Sequence, residues 1–433
     1  MTSPAVRDVS TIRPALKKGL RVLHRDELTL QLGLDPDRAV VFAAPSAAVT
    51  RLVAALDGRA EVGALARRHR LPLATVAQVV ADLGAAGVLE EPAPTGPAPA
   101  GLAAEGPRAA GRGVLQLVGD RGPGSAAGRS VRTLRRVGAA VAERERRLEP
   151  DIAAWALLDG APGSGRTERD RRASATVRVL GSDRVGTAVG LLLAASGIGQ
   201  IVAGDDRLAR HVDNGAAGLG PVDVGRPRRA GLRRRLAEIA PGARLLDRHP
   251  CPALVVVTDA GADTDAVAQL QEAGTPHLVV GVRETLGWVG PLVVPGRTSC
   301  LTCHHLTRTD RDPAWALLVD QLAVAARPPL HLTGAAGGSG AAGGSGVGGS
   351  GVGPADKVRG TTRGAPAVEA CDGVLATLVA ATAVLHTLTW LAGQVPPSVD
   401  GTVEFRLPDG FGRRRSFSVH PGCACAPEAP PAR

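Results

Sequence analysis

Apolar and polar residues alternate in two short runs near the start of the chain. One holds Leu28, Leu30 and Leu32, the other Val40 and Phe42, with Asp35-Pro36-Asp37-Arg38 between them. Alternation sends successive side chains to opposite faces, so these runs predict strands joined by a turn. The period then lengthens. Val49, Leu52, Val53 and Leu56 share one helical face that stops at Asp57-Gly58. Val62 and Leu65 predict a second short helix, and Val76, Val79, Val80 and Leu83 a third, ended between Gly84 and Gly87. Residues 12–92 thus read as one patterned domain. Residues 93–113 carry no period, are dominated by Pro, Ala and Gly, and read as a linker.

From 114 to 427 strands alternate with helices. Val177, Val179 and Leu180 predict a strand, a glycine turn follows, then a Leu- and Ala-rich helix, then a strand through Gln200, Ile201 and Val202, then Asp205-Asp206. That is one βαβ unit. Further strands are predicted over 252–260 and 276–282. An α/β domain whose sheet carries helices on both faces is the predicted class. Inside it, residues 334–353 are built of Gly, Ala, Ser and Val and predict a flexible loop. Residues 373–393 are uncharged and long enough to span a membrane. They carry Thr377, Thr382, His386, Thr387 and Thr389 and stand alone, so they read as a buried helix, with no membrane partner.

Charge changes this picture little. The net +10 comes from scattered Arg, with clusters at 233–235 and 413–415 and almost no aromatic residues among them. A nucleic-acid surface wants basic and stacking groups together. The third helix also lacks Lys and Arg from Ala74 to Gly87 and contains Asp82, unlike a DNA-recognition helix. No apolar segment opens the chain, and six cysteines in 433 residues do not make a secreted disulfide framework, so a cytoplasmic protein is expected.

Two places carry candidate chemistry. At the glycine turn, Gly181 and Gly186 hold the first and third positions of G-x-G-x-x-G, but Asp183 occupies the second. Such a turn brings a phosphate to a helix start, with an acid after the second strand on the ribose. A carboxylate at the second position adds bulk and negative charge there. A βαβ unit that binds no phosphate is the competing reading.

The second place is Cys300-x-x-Cys303 joined to Cys423-x-Cys425. Four thiolates from two turns suit a closed, structural zinc site. A redox pair, and a catalytic zinc using His304 or His305, are the alternatives. Cys371 opens the long apolar helix and reads as a small buried residue, with a thioester-forming thiol as the alternative. Cys251 reads as inert core.

Residues 52–91, from Leu52 to Glu91, resemble the PqqD-like peptide-recognition fold, a small winged-helix domain. The resemblance implies capture of the leader of a ribosomally made peptide as an added strand. Residues 175–425 resemble the ThiF/MoeB and ubiquitin-activating superfamily, most specifically at 223–241, at Val256-Val257-Thr258-Asp259-Ala260 and at 290–303. This implies a Rossmann-like ThiF-type sheet with ATP and magnesium. Asp205 or Asp206 would take the ribose, and Asp259 would be the catalytic acid beside the phosphates. Arg228 stands where the superfamily has a lysine. The superfamily's second cysteine pair is C-x-x-C, here shortened to C-x-C.

Together the two resemblances imply a leader-binding protein that presents a ribosomal precursor peptide to a cyclodehydratase or other modifying enzyme, without a need to adenylate. A homodimer is implied by the superfamily. An active ATP-dependent adenylyltransferase acting on a carboxylate is the alternative. An NAD-dependent oxidoreductase ranks behind it, because no catalytic His/Lys set stands beside the glycine turn.

Overall fold

A computed structural model describes residues 9–35, 38–90, 144–158, 164–249, 251–258, 264–326 and 370–425. The expected linker at 93–113, the glycine-rich loop at 334–353 and Asp259 lie outside the described residues.

The first sheet among the described residues is three-stranded and antiparallel, in the order β1-β2-β3, formed by Val22–His24, Thr29–Leu32 and Val40–Ala43. Three helices follow: α1 (Ala47–Ala54), α2 (Val62–His69) and α3 (Leu73–Ala85). Alternation explains how the sheet is used. Val22, Leu30 and Leu32 face the helices and join Leu52, Val62, Val76 and Leu83 in one core. Leu23 lies on the opposite face. The strands and helices expected from periodicity are present. Missed was β1, a strand too short to show a period.

The second part is a mixed α/β structure around an eight-stranded sheet. A helix over 144–158 (α4) and α5 (Ser164–Ser174) precede it. The sheet strands are β4 (Thr176–Leu180), β5 (Gln200–Val202), β6 (Arg244–Leu246), β7 (Leu254–Thr258), β8 (His277–Arg283), β9 (Leu286–Val293), β10 (Gly401–Arg406) and β11 (Gly412–Ser416). Their order is β11-β10-β9-β8-β7-β4-β5-β6. The run from β6 to β8 is parallel, and β9, β10 and β11 add an antiparallel extension. The chain leaves β4 toward β5 on one side and returns to β7 on the other. That places a topological switch point at the carboxyl ends of β4 and β7, where ligands of open α/β sheets bind.

One sheet face, with Val177, Val179, Ile201 and Val256, packs on α6 (Arg184–Ala195), α7 (Arg228–Ile239) and α11 (Gly373–Leu391). On the other face Val255, Val257 and Val279 meet Val267 of α8 (Thr264–Glu272). Two more helices, α9 (Leu301–Arg311) and α10 (Trp315–Ala326), follow β9.

Among the described residues, helix α11 is the one apolar helix long enough to cross a membrane, and half of that stretch is buried inside the structure. Its polar residues are accommodated locally. Thr377, Thr382, Thr387 and Thr389 each donate to the carbonyl four residues earlier, at 2.8–2.9 Å. His386 is different. It is buried, its Nδ1 has no partner, and burial alone pushes the imidazole down from 6.5 to about 4. A depressed histidine contributes stability above its unfolded value, and that contribution is lost as pH falls through the folded value. Unfolding free energy should therefore drop by about 3 kcal/mol from this group between pH 6.5 and about 4. Denaturant titrations of His386→Leu should show that part of the acid slope removed.

The two parts are docked. The outer face of the front sheet packs Leu23 and Leu34 against Leu318 and Leu322 of α10. The loop between β2 and β3 sits on the β8–β9 turn, where Glu284 accepts from the amides of Leu34 (2.8 Å) and Arg21 (3.3 Å). Asp35, buried, meets Arg406 at 3.1 Å and Thr285 at 3.1 Å.

Candidate functional site

The ladder register decides which sheet edge of the front unit is open. Ala44 donates to the carbonyl of Leu28, so Leu30 with Phe42 and Leu32 with Val40 are the hydrogen-bonded pairs of β2 and β3. The backbone groups of Val41 and Ala43 therefore point away from β2. By the same alternation Val22 and His24 point outward from β1. There the Gln321 side chain acts as a strand substitute: His24 N donates to Oε1 at 2.8 Å, and Nε2 donates back to the His24 carbonyl at 2.7 Å. The β1 edge is thus covered. At the β3 edge the side chains of Val41 and Ala43 are exposed, Val41 to 55%. This edge offers backbone groups beside an apolar surface.

The four cysteines converge. Cys300 caps α9 and Cys303 lies in its first turn, while Cys423 and Cys425 occupy the turn after Pro421-Gly422. All four sulfur atoms lie within 4.8 Å of one another. Cys300 to Cys303 is 3.8 Å, Cys300 to Cys423 is 3.6 Å and Cys303 to Cys425 is 3.3 Å. These gaps are far too long for disulfides. They fit a tetrahedral ion, since a zinc–sulfur bond of about 2.3 Å sets the sulfurs about 3.8 Å apart.

The proton energetics fit as well. Burial pushes the Cys303 thiol up, but the backbone at His420 and Cys300 and the facing thiols hold it below the usual range. Cys423 and Cys425 are pushed above it by burial, and Cys425 further by the thiols around it. Cys303 thus gives up its proton readily while Cys423 and Cys425 hold theirs, through burial first and the facing thiols second. A divalent cation removes that penalty. The cluster can therefore hold a metal ion.

The neighbouring histidines are occupied elsewhere. His304 stacks on Phe417 with centroids 3.8 Å apart and meets the Ser299 hydroxyl at 3.2 Å. His305 accepts from Trp315 Nε1 at 3.1 Å. Burial pushes them to about 3 and about 4 respectively, so both are neutral rings with packing roles. His420 pairs with Asp310 of α9 at 2.9 Å, tying the terminal turn to the helix. The sequence suggested two turns; one proves to be the start of a helix.

The glycine turn lies at the switch point, and its residues do not fit a bound phosphate. Gly181 has φ +100°, and a Cβ there would stand 2.1 Å from Thr258 Oγ1, so only glycine is accommodated. The amide of Gly186, in the first turn of α6, donates to the Asp183 carboxylate at 2.7 Å. Thr258 Oγ1 lies 3.3 Å from the same carboxylate and donates to Leu180 O at 3.1 Å. Asp183 thus supplies from within the chain the negative charge that a helix start favours. Asp183→Ala should cost about 1 kcal/mol in denaturant unfolding, the usual worth of such a cap.

Asp205 does face this turn. Burial pushes its carboxyl up, but Ser182, Arg207 at 2.7 Å and Arg228 at 4.0 Å more than offset that and hold it below the usual range. Asp206 is exposed. Arg228 is buried in a two-armed pair with Asp213, at 2.8 and 3.1 Å, so its guanidinium is already committed. Thr258, Asp213 and Gln321 are the contributors that periodicity and motif spacing did not single out. Thr258 alone left a signal, standing beside Asp259 at the end of a predicted strand. Cys371 is half-buried, and its carbonyl accepts from Arg184 at 2.8 Å. Cys251, expected in the core, is exposed, because the chain there is still in the loop before β7.

No protein-family model matches the chain. No curated protein matches it either. Several solved structures are similar in arrangement. E. coli MccB with ATP is 13% identical, with 95% of this chain and 99% of that chain covered and a TM-score of 0.45. The microcin C7 biosynthetic enzyme MccB in complex with N-formylated MccA is 13% identical, with the same coverage and a TM-score of 0.46. PaaA is 16% identical, with 63% of this chain and 83% of that chain covered and a TM-score of 0.43.

Proposed function

We propose that this chain is a ThiF-like, leader-peptide-binding protein with a PqqD-like front domain over residues 12–92. It takes an extended segment of a ribosomal precursor peptide as a fourth strand on β3 and presents the remainder to a modifying enzyme such as a cyclodehydratase. The observation that carries this reading is the asymmetry of the front sheet. Its β1 edge is closed by Gln321, and its β3 edge leaves the backbone of Val41 and Ala43 facing outward. Strand addition draws affinity from such main-chain groups and selectivity from neighbouring apolar surface. The four cysteines hold a structural zinc, which would fix α9 to the terminal turn.

In this reading the α/β part does not need ATP, since Asp183 already occupies the start of α6. The competing adenylyltransferase reading is favoured by Asp205, which stays ionised beside the turn. Pyrophosphate exchange separates them. Purified protein with ATP, magnesium and a leader-bearing precursor peptide should give exchange no greater than a protein-free control. Robust exchange that requires the peptide would overturn the non-adenylating reading.

A further inference from the structure

We propose that the four-cysteine centre controls the docking of the front sheet: the bound metal fixes the α9–α10 elbow, and the elbow holds β1. The proposal rests on reading the four cysteines as a metal site and is independent of peptide capture.

The path is continuous. Cys300 and Cys303 frame the first turn of α9. From that turn His305 accepts the indole N–H of Trp315, the first residue of α10. Arg308, one turn on, lies over the same indole at 4.9 Å. At the far end of α9, Asp312 takes both arms of Arg25 from the front unit, one of them at 2.9 Å. Helix α10 then supplies Leu318 and Leu322 to the face of the front sheet and Gln321 to the β1 edge. The α10 contacts to β1 thus arise from the stretch whose starting turn carries two of the four sulfurs. The other fastenings bypass the cysteines: Glu284 on the amides of Leu34 and Arg21 and Thr285 on Asp35 come from the β8–β9 turn, and Arg406 on Asp35 comes from β10.

Two sets of fastenings with separate supports give a selective expectation. Loss of metal should loosen the α10 fastening and leave the Glu284 one in place. Linkage adds a reciprocal effect: a front unit that docks more tightly when metal is bound must raise metal affinity by the same factor.

The test is amide hydrogen exchange on the full-length protein, with zinc bound and after removal by a chelator, with zinc measured in the same samples. Exchange in β1, including the His24 amide held by Gln321, should quicken at least about tenfold without metal. The Leu34 amide and helices α1 to α3 should keep their protection. Trp315→Phe, which keeps the cysteines and removes the donor to His305, should quicken β1 exchange with zinc still bound.

Unchanged β1 protection in zinc-free protein would overturn the proposal, and so would equal loss of protection everywhere. Wild-type β1 exchange in Trp315→Phe would overturn the route through the elbow. A chain that binds no zinc would overturn the proposal at its premise, and the zinc measurement would show that it failed there.

Discussion

Cys303→Ser is expected to release the metal and to destabilise the chain by about 4 kcal/mol or more. Cys303 is fully buried, and its sulfur lies 3.8 Å from Cys300 and 3.3 Å from Cys425. Serine is close in size, so packing changes little. What is lost is a thiolate ligand, together with the stabilisation that a ligand of the folded state provides by mass action. Zinc content after passage through chelator, and the denaturation midpoint of the same samples, read the two effects together. Chelation of the wild-type protein should reproduce most of the loss. Cys251→Ser, at an exposed cysteine away from the cluster, should leave both readings unchanged. A metal-free wild-type chain as stable as the loaded one would refute the structural role.

The second large effect is expected at Val41. Proline there removes an N–H that the register directs away from β2, so the β2–β3 ladder is kept. Stability should therefore change little. An added strand would lose that backbone donor and meet the pyrrolidine ring, and peptide affinity should fall at least about tenfold, or about 1.4 kcal/mol. Gln31→Pro would not serve as a substitute, because Gln31 bonds to β1 and its loss would open the ladder itself. Unfolding curves and peptide titrations on the same Val41→Pro preparation separate the two effects.

How much could be read from the residues depended on the range of the interaction. Local periodicity was enough for the alternation at Leu28, Leu30 and Leu32, the helical faces of α1 to α3, and the βαβ unit around Gly181. Spacing was enough to pair Cys300 and Cys303 with Cys423 and Cys425 as candidate ligands. It was not enough to show that Cys303 sits inside a helix, because a zinc knuckle and a helix start share that spacing. Asp183 read as an obstacle to phosphate; the structure adds that it is a cap, accepting from Gly186 and facing Thr258. Apart from the cysteines, pairings across long stretches of chain left no trace. Gln321 meets His24 from 297 positions away, and nothing in either segment's pattern announces it. Arg228 stands where the superfamily has a lysine, and nothing in the sequence announces its partner, Asp213, which only the fold brings to it.

The most direct measurement is a fluorescence-anisotropy titration of a labelled synthetic leader peptide with the nucleotide-free, full-length protein. The peptide would be taken from a short open reading frame adjoining the coding sequence. Saturable binding is expected with a Kd of about 10 μM or tighter, unchanged by ATP and magnesium and weakened at least about tenfold by Val41→Pro. Binding that requires ATP, or that Val41→Pro leaves untouched, would contradict that expectation.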